Sequence, residues 1–335
     1  MTQRIEFVDL AKGICISLVV LLHVFGDLSG GVIQIMNLFR MPLYFVLSGL
    51  FFKSYNGFVP FFKKKTNKLL IPFFFTFIFV VLPTTILLNI LDGKPVAVYH
   101  LFILEGGKLN LGIDGAIWFL LCLFIVNIYF YMIFLLTNKN IVGIIIFSVI
   151  CGFLGYAMSF YGFHLPMWMD SAFTAMPFFL YGYILCRYSE VLYGAPTKKD
   201  VLLALVSFLI LLSVFLYDEW CGERVIAFGE NTFNISFFSL YFGGIFGTYC
   251  ILMIAKFIGH LPILSYIGRY SIVVLITHLL YLFVIRNILY QFGVPQNEVW
   301  LNTLVFISII ILSVPTISFC IKYLPYWFAQ KDIWQ

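Results

Sequence analysis

Long apolar runs, separated by short polar segments, recur along the whole chain. A transmembrane helix needs about 20 predominantly apolar residues, and about ten runs approach that length. The pattern therefore predicts an all-α, polytopic transmembrane helix bundle of about ten spans. The predicted spans are residues 13–28, 35–53, 69–91, 115–136, 141–160, 171–188, 201–217, 236–258, 269–291 and 299–324.

The composition agrees with a membrane protein and excludes a soluble domain. The chain is 62% hydrophobic and 10% charged, with a mean hydropathy of +1.03. Its seven cysteines are scattered singly and form no CxxC pair, so we expect neither a metal site nor a disulfide framework. No small-residue cleavage site follows the first apolar run, so we expect no cleavable signal peptide. No connecting segment is long enough for a separate domain, so residues 1–335 are expected to form one integral membrane domain.

The basic residues predict the orientation of the chain. An even number of spans places both termini on one side, and short cytoplasmic loops carry an excess of Lys and Arg. With both termini cytoplasmic, most of the 20 Lys and Arg residues lie inside. The exceptions are Arg40, within a span, and Lys94, Lys108, Arg224 and Arg286, in outer segments. The net charge of +5 thus reflects topology rather than a nucleic-acid-binding surface, and we expect a multi-pass protein of the cell membrane.

The first apolar run carries the clearest chemical signal. Asp9 and Lys12 stand at its entrance, and His23 lies eleven positions after Lys12, deep in the run. Eleven steps of about 100° return to nearly the same helix face, roughly 16 Å further along the axis. An ionisable side chain at that depth is costly and is therefore a functional hypothesis by default. The pattern predicts chemistry at His23 that is reached from the cytoplasmic side.

The second run and the loop after it each allow two interpretations. Pro42 can kink the second helix, and Ser48-Gly49 permits a neighbour to approach closely, so this stretch is either a packing notch or part of a site. The basic cluster at 63–68 is either a topology anchor on anionic lipid headgroups or a seat for a phosphate-rich cytoplasmic ligand.

Two later runs hold further candidate site residues, each of which also has a purely structural interpretation. Trp118 opens the fourth run, where a tryptophan is usually an interfacial anchor. The ninth run opens Gly268-Arg269-Tyr270-Ser271 and contains His278, which is either a satisfied core histidine or a functional group. Polar or aromatic groups expected near the outer ends of the spans are Arg40, Glu105, Asp114, Trp118, His164 and Trp168.

In their order and spacing these motifs resemble the acyltransferase-3 family of integral membrane acyltransferases. The resemblance rests on Asp9 and the basic-x10-His pattern of Lys12 and His23, and on Trp118-Phe-Leu. It rests also on Met41-Pro-Leu-Tyr-Phe-Val-Leu-Ser-Gly49, on Lys65-x-x-Lys68 before Pro72, and on Gly268-Arg-Tyr-Ser271 with His278. The family often has arginine where this chain has Lys12, Lys65 and Lys68, which makes bidentate phosphate contacts less favourable. Some members carry an extracytoplasmic esterase-like domain, which we do not expect here.

The resemblance implies transfer of an acyl group, usually acetyl, from cytoplasmic acyl-CoA to a hydroxyl of an extracytoplasmic or lipid-linked glycan. His23 is then the expected general base, and Asp27, one turn further out, or a polar group on another helix would orient its ring. The implied acyl-CoA contacts are Asp9, Lys12, Lys65, Lys68 and Arg269, and the implied substrate contacts are Arg40, Trp118 and His278. No metal is expected.

A different class of function also fits part of the pattern. In a proton-coupled transporter or a polysaccharide exporter, His23 and Arg40 would be intramembrane relay or substrate-site groups. Transporters of that kind have paired halves with internal symmetry, and we find no such symmetry in the sequence. The acceptor and the choice between acetyl and succinyl stay open at this stage.

Overall fold

A computed structural model describes residues 5–26, 31–91, 107–188, 194–222, 225–295 and 298–334. Over these residues the protein is almost entirely helical, which confirms the all-α class. The helices are α1 (Glu6–Phe25), α2 (Gly31–Leu50), α3 (Phe58–Leu91), α4 (Trp118–Leu136), α5 (Ile141–Phe160), α6 (Met169–Tyr188), α7 (Lys198–Cys221), α8 (Phe237–Ile258), α9 (Pro262–Arg269), α10 (Ser271–Gln291) and α11 (Val299–Tyr323). A two-residue hairpin pairs β1 (Ile226–Ala227) antiparallel to β2 (Thr232–Phe233).

Each of the predicted runs lies in one of the long helices, with the short α9 as an addition between α8 and α10. Within the described chain, eight helices are long and apolar enough to cross a membrane. The other two long helices are α2, whose apolar part is Ile35–Leu50, and α6. Much of α6 is buried against other helices, so it has less need of an apolar surface towards lipid. The count of ten spans and the cytoplasmic termini stay predictions.

Gly49 makes the close helix contact of a packing notch, while the neighbouring Ser48 lines a cavity. A Cβ on Gly49 would lie 2.0 Å from the carbonyl oxygen of Phe179 on α6. Reciprocally, a Cβ on Gly182 of α6 would lie 2.0 Å from the carbonyl oxygen of Val46 on α2. The two backbones are thus in direct contact, the close approach that small residues allow between membrane helices.

Helix α3 departs twice from regular α geometry. The segments Thr66–Leu70 and Phe77–Val81 are π-helical. Such wide turns are uncommon and are frequent at functional sites. The first of them follows Lys65 and contains Lys68, so it sets the direction in which this basic cluster faces.

Replacing Gly182 by alanine should separate α2 from α6. The added methyl overlaps a backbone carbonyl and not a flexible side chain, so neighbouring atoms cannot simply move aside. We expect a loss of about 1–3 kcal/mol of stability, measured as a lower thermal midpoint of the purified protein. Gly115→Ala is the matched control, because a Cβ there meets no atom within 4 Å. Equal midpoints for the two variants would contradict this account of the packing.

Candidate active site

Five cations converge on one cavity of about 540 Å³. We call it the lysine cavity. All of its charged lining residues within the described chain are basic: Lys12 from α1, Lys64, Lys65 and Lys68 from α3, and Arg269 at the end of α9. The sequence predicted four of these five together and missed Lys64. Asp9 is not among the lining residues, and its backbone carbonyl lies instead against Gly268.

A second cavity, of about 260 Å³, lies deeper along α1. We call it the histidine cavity, because His23 lines it together with Arg40 of α2 and Trp118 of α4. Residues 226–229 of the hairpin close another side. Three residues, Tyr44, Phe119 and Leu275, line both cavities and so form a wall that the two spaces share.

The two intramembrane histidines come together. The rings of His23 on α1 and His278 on α10 lie 5.3 Å apart between centroids, at an angle of 46°. Nδ1 of His278 is 2.9 Å from the carbonyl oxygen of Val274, and since a carbonyl only accepts, this nitrogen carries the proton. The Nε2 of a neutral His278 then keeps its lone pair, and this buried atom has no partner among the described residues.

Arg40 places a cation beside these rings. It lines the histidine cavity, and its Nε and Nη1 are buried without an acceptor in the described chain. Among the described lining residues of this cavity, the only ionisable side chains are Arg40, His23 and Tyr44. The Sγ of Cys15 donates to the backbone carbonyl of Arg40 over 3.3 Å, which ties α1 to α2 at this level. A buried guanidinium without a counter-ion is suited to an anion or to an oxygen that gains negative charge.

The hairpin fixes the wall of the histidine cavity against Trp118. A Cβ on Gly229 would lie 3.2 Å from the indole, so glycine leaves the ring its space. The buried Lys108 donates to the carbonyl of Gly229 over 3.0 Å and pairs with Glu230 at 3.4 Å. Asn231 joins the hairpin to α5 and α6 through Gly155 and Thr174. The sequence did not single out this hairpin, and its only signal was a group of turn-forming residues.

Other predicted outer residues lie away from the two cavities or outside the described chain. Asp27 and Glu105 lie outside the described residues. Asp114, His164 and Trp168 line neither cavity. His164 contacts the buried Asp170 at 3.2 Å, and burial raises the pKa of the Asp114 carboxyl well above its usual range. The described residues hold no group of three or more His, Cys, Asp or Glu that is placed to bind a metal.

Comparison with known proteins identifies the class of protein that carries this arrangement. The family model described as "Acyltransferase domain" matches residues 5–318, nearly the whole chain. The chain belongs to the acyltransferase-3 family. The resemblance seen in the motifs is therefore confirmed, and the protein is a membrane acyltransferase in general terms. Neither the curated proteins nor the solved structures give a match.

Proposed function

We propose that this acyltransferase-3 protein transfers an acetyl group from cytoplasmic acyl-CoA to a hydroxyl of an extracytoplasmic or lipid-linked glycan. The observation that supports it is the wall of Tyr44, Phe119 and Leu275 shared by a cation-lined cavity and a histidine-lined cavity. Donor and acceptor then have separate entrances to one reaction site. Only the acyl group crosses from one side to the other.

The lysine cavity suits the phosphates of acyl-CoA. Its described lining contains five basic side chains and no carboxylate. Lysine binds phosphate as a point charge, so the contacts need no fixed bidentate geometry. From Lys12 to His23 is roughly 16 Å along α1. An extended pantetheine arm spans such a distance, so phosphates held at the lysines leave the thioester within reach of the histidine.

In the proposed reaction His23 is the general base. It accepts the proton of the acceptor hydroxyl, the hydroxyl oxygen attacks the thioester carbonyl, and the carbon–sulfur bond breaks. The proton on His23 then passes to the departing CoA sulfur. His278 is the polar group on another helix that orients this ring, since its free Nε2 can accept a hydrogen bond from the N–H of His23. Arg40 donates to the carbonyl oxygen that becomes negative in the tetrahedral intermediate.

Removing the base should abolish transfer without unfolding the protein. We expect His23→Ala to lower the rate of acetyl transfer by at least about 100-fold, with the thermal midpoint nearly unchanged because the ring borders open space. The measurement is release of CoA from labelled acetyl-CoA in the presence of glycan. His260→Ala, an exposed histidine between α8 and α9, is the control and should keep full activity. Wild-type turnover in His23→Ala would remove the histidine from the mechanism.

Removing a cation of the lysine cavity should weaken donor binding. Lys65→Gln is expected to raise the Kd for acetyl-CoA, and added salt should raise it further in the wild type, because screening weakens charge pairs. Lys139→Gln removes an exposed cation after α4 and is the control. Equilibrium binding with labelled acetyl-CoA gives both values. If Lys65→Gln binds acetyl-CoA with the Kd of the wild type, the basic cluster serves only as a topology signal.

Because Trp118 lines the histidine cavity, its removal should affect the acceptor glycan and not the donor. Sugar rings stack on aromatic faces, so Trp118→Ala should lower transfer to glycan about tenfold while leaving the Kd for acetyl-CoA unchanged. Trp220→Ala, which removes a 90% exposed indole at the end of α7, serves as the control. If the two variants transfer equally well, Trp118 is only an interfacial anchor.

The transporter and exporter alternatives are tested with the same purified protein. Family membership favours acyl transfer over them. Transfer of label from acetyl-CoA to glycan supports the enzyme. Absence of transfer, combined with substrate uptake into proteoliposomes, supports a transporter in which His23 and Arg40 form the pathway.

A further inference from the structure

The chain that follows α11 folds back onto α3 beside the lysine cavity. We call Pro325–Trp334 the closing segment. The side-chain amide of the buried Asn67 holds its end with three hydrogen bonds. The amide oxygen accepts from the backbone N–H groups of Ile333 and Trp334, both at 2.9 Å, and the amide nitrogen donates to the carbonyl of Trp334 at 2.7 Å. A fourth bond, to the carbonyl of Lys63 at 3.0 Å, completes the bonding of Asn67.

Two tryptophans anchor the closing segment further. Nε1 of Trp327 donates to the hydroxyl of Thr76 on α3 over 3.1 Å. The ring of Trp334 packs edge-on against Phe62, and the ammonium of Lys63 lies 5.3 Å from its centroid. The segment therefore has a defined position on α3.

This position puts a carboxylate on two of the five cavity cations. Asp332 pairs with Lys64 at 2.7 Å and with Lys68 at 3.5 Å, and Lys68 also donates to the carbonyl of Ala329. The hydrogen bond from Lys64 holds the pKa of the Asp332 carboxyl below its usual range. The carboxylate is therefore charged near neutral pH, and it bridges two lysines that also line the lysine cavity.

We propose that Lys64 and Lys68 form an anion seat for the phosphates of the donor, and that Asp332 competes with those phosphates for it. Asp332 then sets the affinity for the donor. This rests on the proposed function, since it specifies the phosphate contacts of the same cavity.

The energies allow such an exchange. The side chains of Lys64, Lys68 and Asp332 are each about one-third exposed, and ion pairs that reach water in this way are weak and easily exchanged. A phosphate group carries up to about two negative charges and three acceptor oxygens. It can therefore form stronger ion pairs and more hydrogen bonds with the two lysines than a carboxylate can. When the phosphate replaces Asp332, both lysines stay paired and the carboxylate moves into water.

The first test measures binding to the purified full chain. We expect Asp332→Asn to lower the Kd for CoA by several-fold, on the order of fivefold, because one competing anion is lost. Asp332→Glu keeps the charge and is the matched control, with a Kd near that of the wild type. Pantetheine lacks the phosphates, so the substitution should leave its binding unchanged. An unchanged or raised Kd for CoA in Asp332→Asn overturns the proposal.

The second test needs no variant. Amide hydrogen exchange of the closing segment is followed with and without CoA. Competition predicts faster exchange at residues 325–334 when CoA is present, the opposite of ordinary protection by a ligand. Slower or unchanged exchange means that the segment stays fixed on α3 when CoA binds, and it overturns the proposal.

Inorganic pyrophosphate separates this inference from the proposed function. If acyl-CoA does not bind but pyrophosphate does, and binds more tightly to Asp332→Asn, the anion seat stands and the proposed donor is wrong. If pyrophosphate binding is also insensitive to Asp332, the seat itself is wrong.

Discussion

The direct backbone contact between α1 and α9 fixes the depth at which every functional side chain of α1 lies. A Cβ on Gly13 would lie 2.0 Å from the carbonyl oxygen of Leu264, and one on Gly268 would lie 1.9 Å from that of Asp9. With no side chain between them, the two helices cannot slide without a clash. This contact sets Lys12 beside Arg269 at one cavity and carries His23, about 16 Å further along the same helix, to the other.

The rest of the site follows from the cost of polar groups in a low-dielectric interior. The cations of the lysine cavity are gathered at one end of the bundle, where water and mobile anions can reach them. Further along α1, the described lining of the histidine cavity includes the guanidinium of Arg40 and the imidazole of His23. The imidazole of His278 lies 5.3 Å from that of His23. Such groups are expensive at this depth, so their presence there favours a functional role. The division of charge along α1 therefore matches a path from a phosphate-binding entrance to a reacting centre further along the same helix.

Two peripheral pieces lie at the two cavities: the hairpin lines the histidine cavity, and the closing segment contacts lysines of the lysine cavity. The hairpin around Gly229 is held by Lys108 and Asn231 and gives Trp118 its position. The closing segment is held by Asn67 and reaches Lys64 and Lys68. Each piece is short and has almost no regular structure of its own, so its place depends on a few buried side chains that satisfy its backbone groups.

The sequence determined what local pattern can determine. Apolar run length decided the all-α class, and an eleven-residue spacing placed Lys12 and His23 on one face of a single helix. The family motifs singled out Lys65, Lys68, Arg269 and His278 as candidate site residues, and the position of a cation within an apolar run singled out Arg40. The small residues Ser48-Gly49 indicated a close helix contact, which Gly49 makes, but not that Ser48 would line the lysine cavity.

Only the tertiary structure decided which of these residues meet. The ring of His278 comes within 5.3 Å of that of His23 because α10 packs on α1, and spacing along either helix carries no information about that distance. Lys64 lines the lysine cavity and Asp9 does not, because the packing of α3, and that of α9 against α1, decides which side chains reach the cavity. The hairpin and the closing segment have no apolar periodicity, so their contacts depend on hydrogen bonds between residues far apart in the chain. A sequence pattern reports the faces of one helix at a time, whereas a site is made where several faces converge.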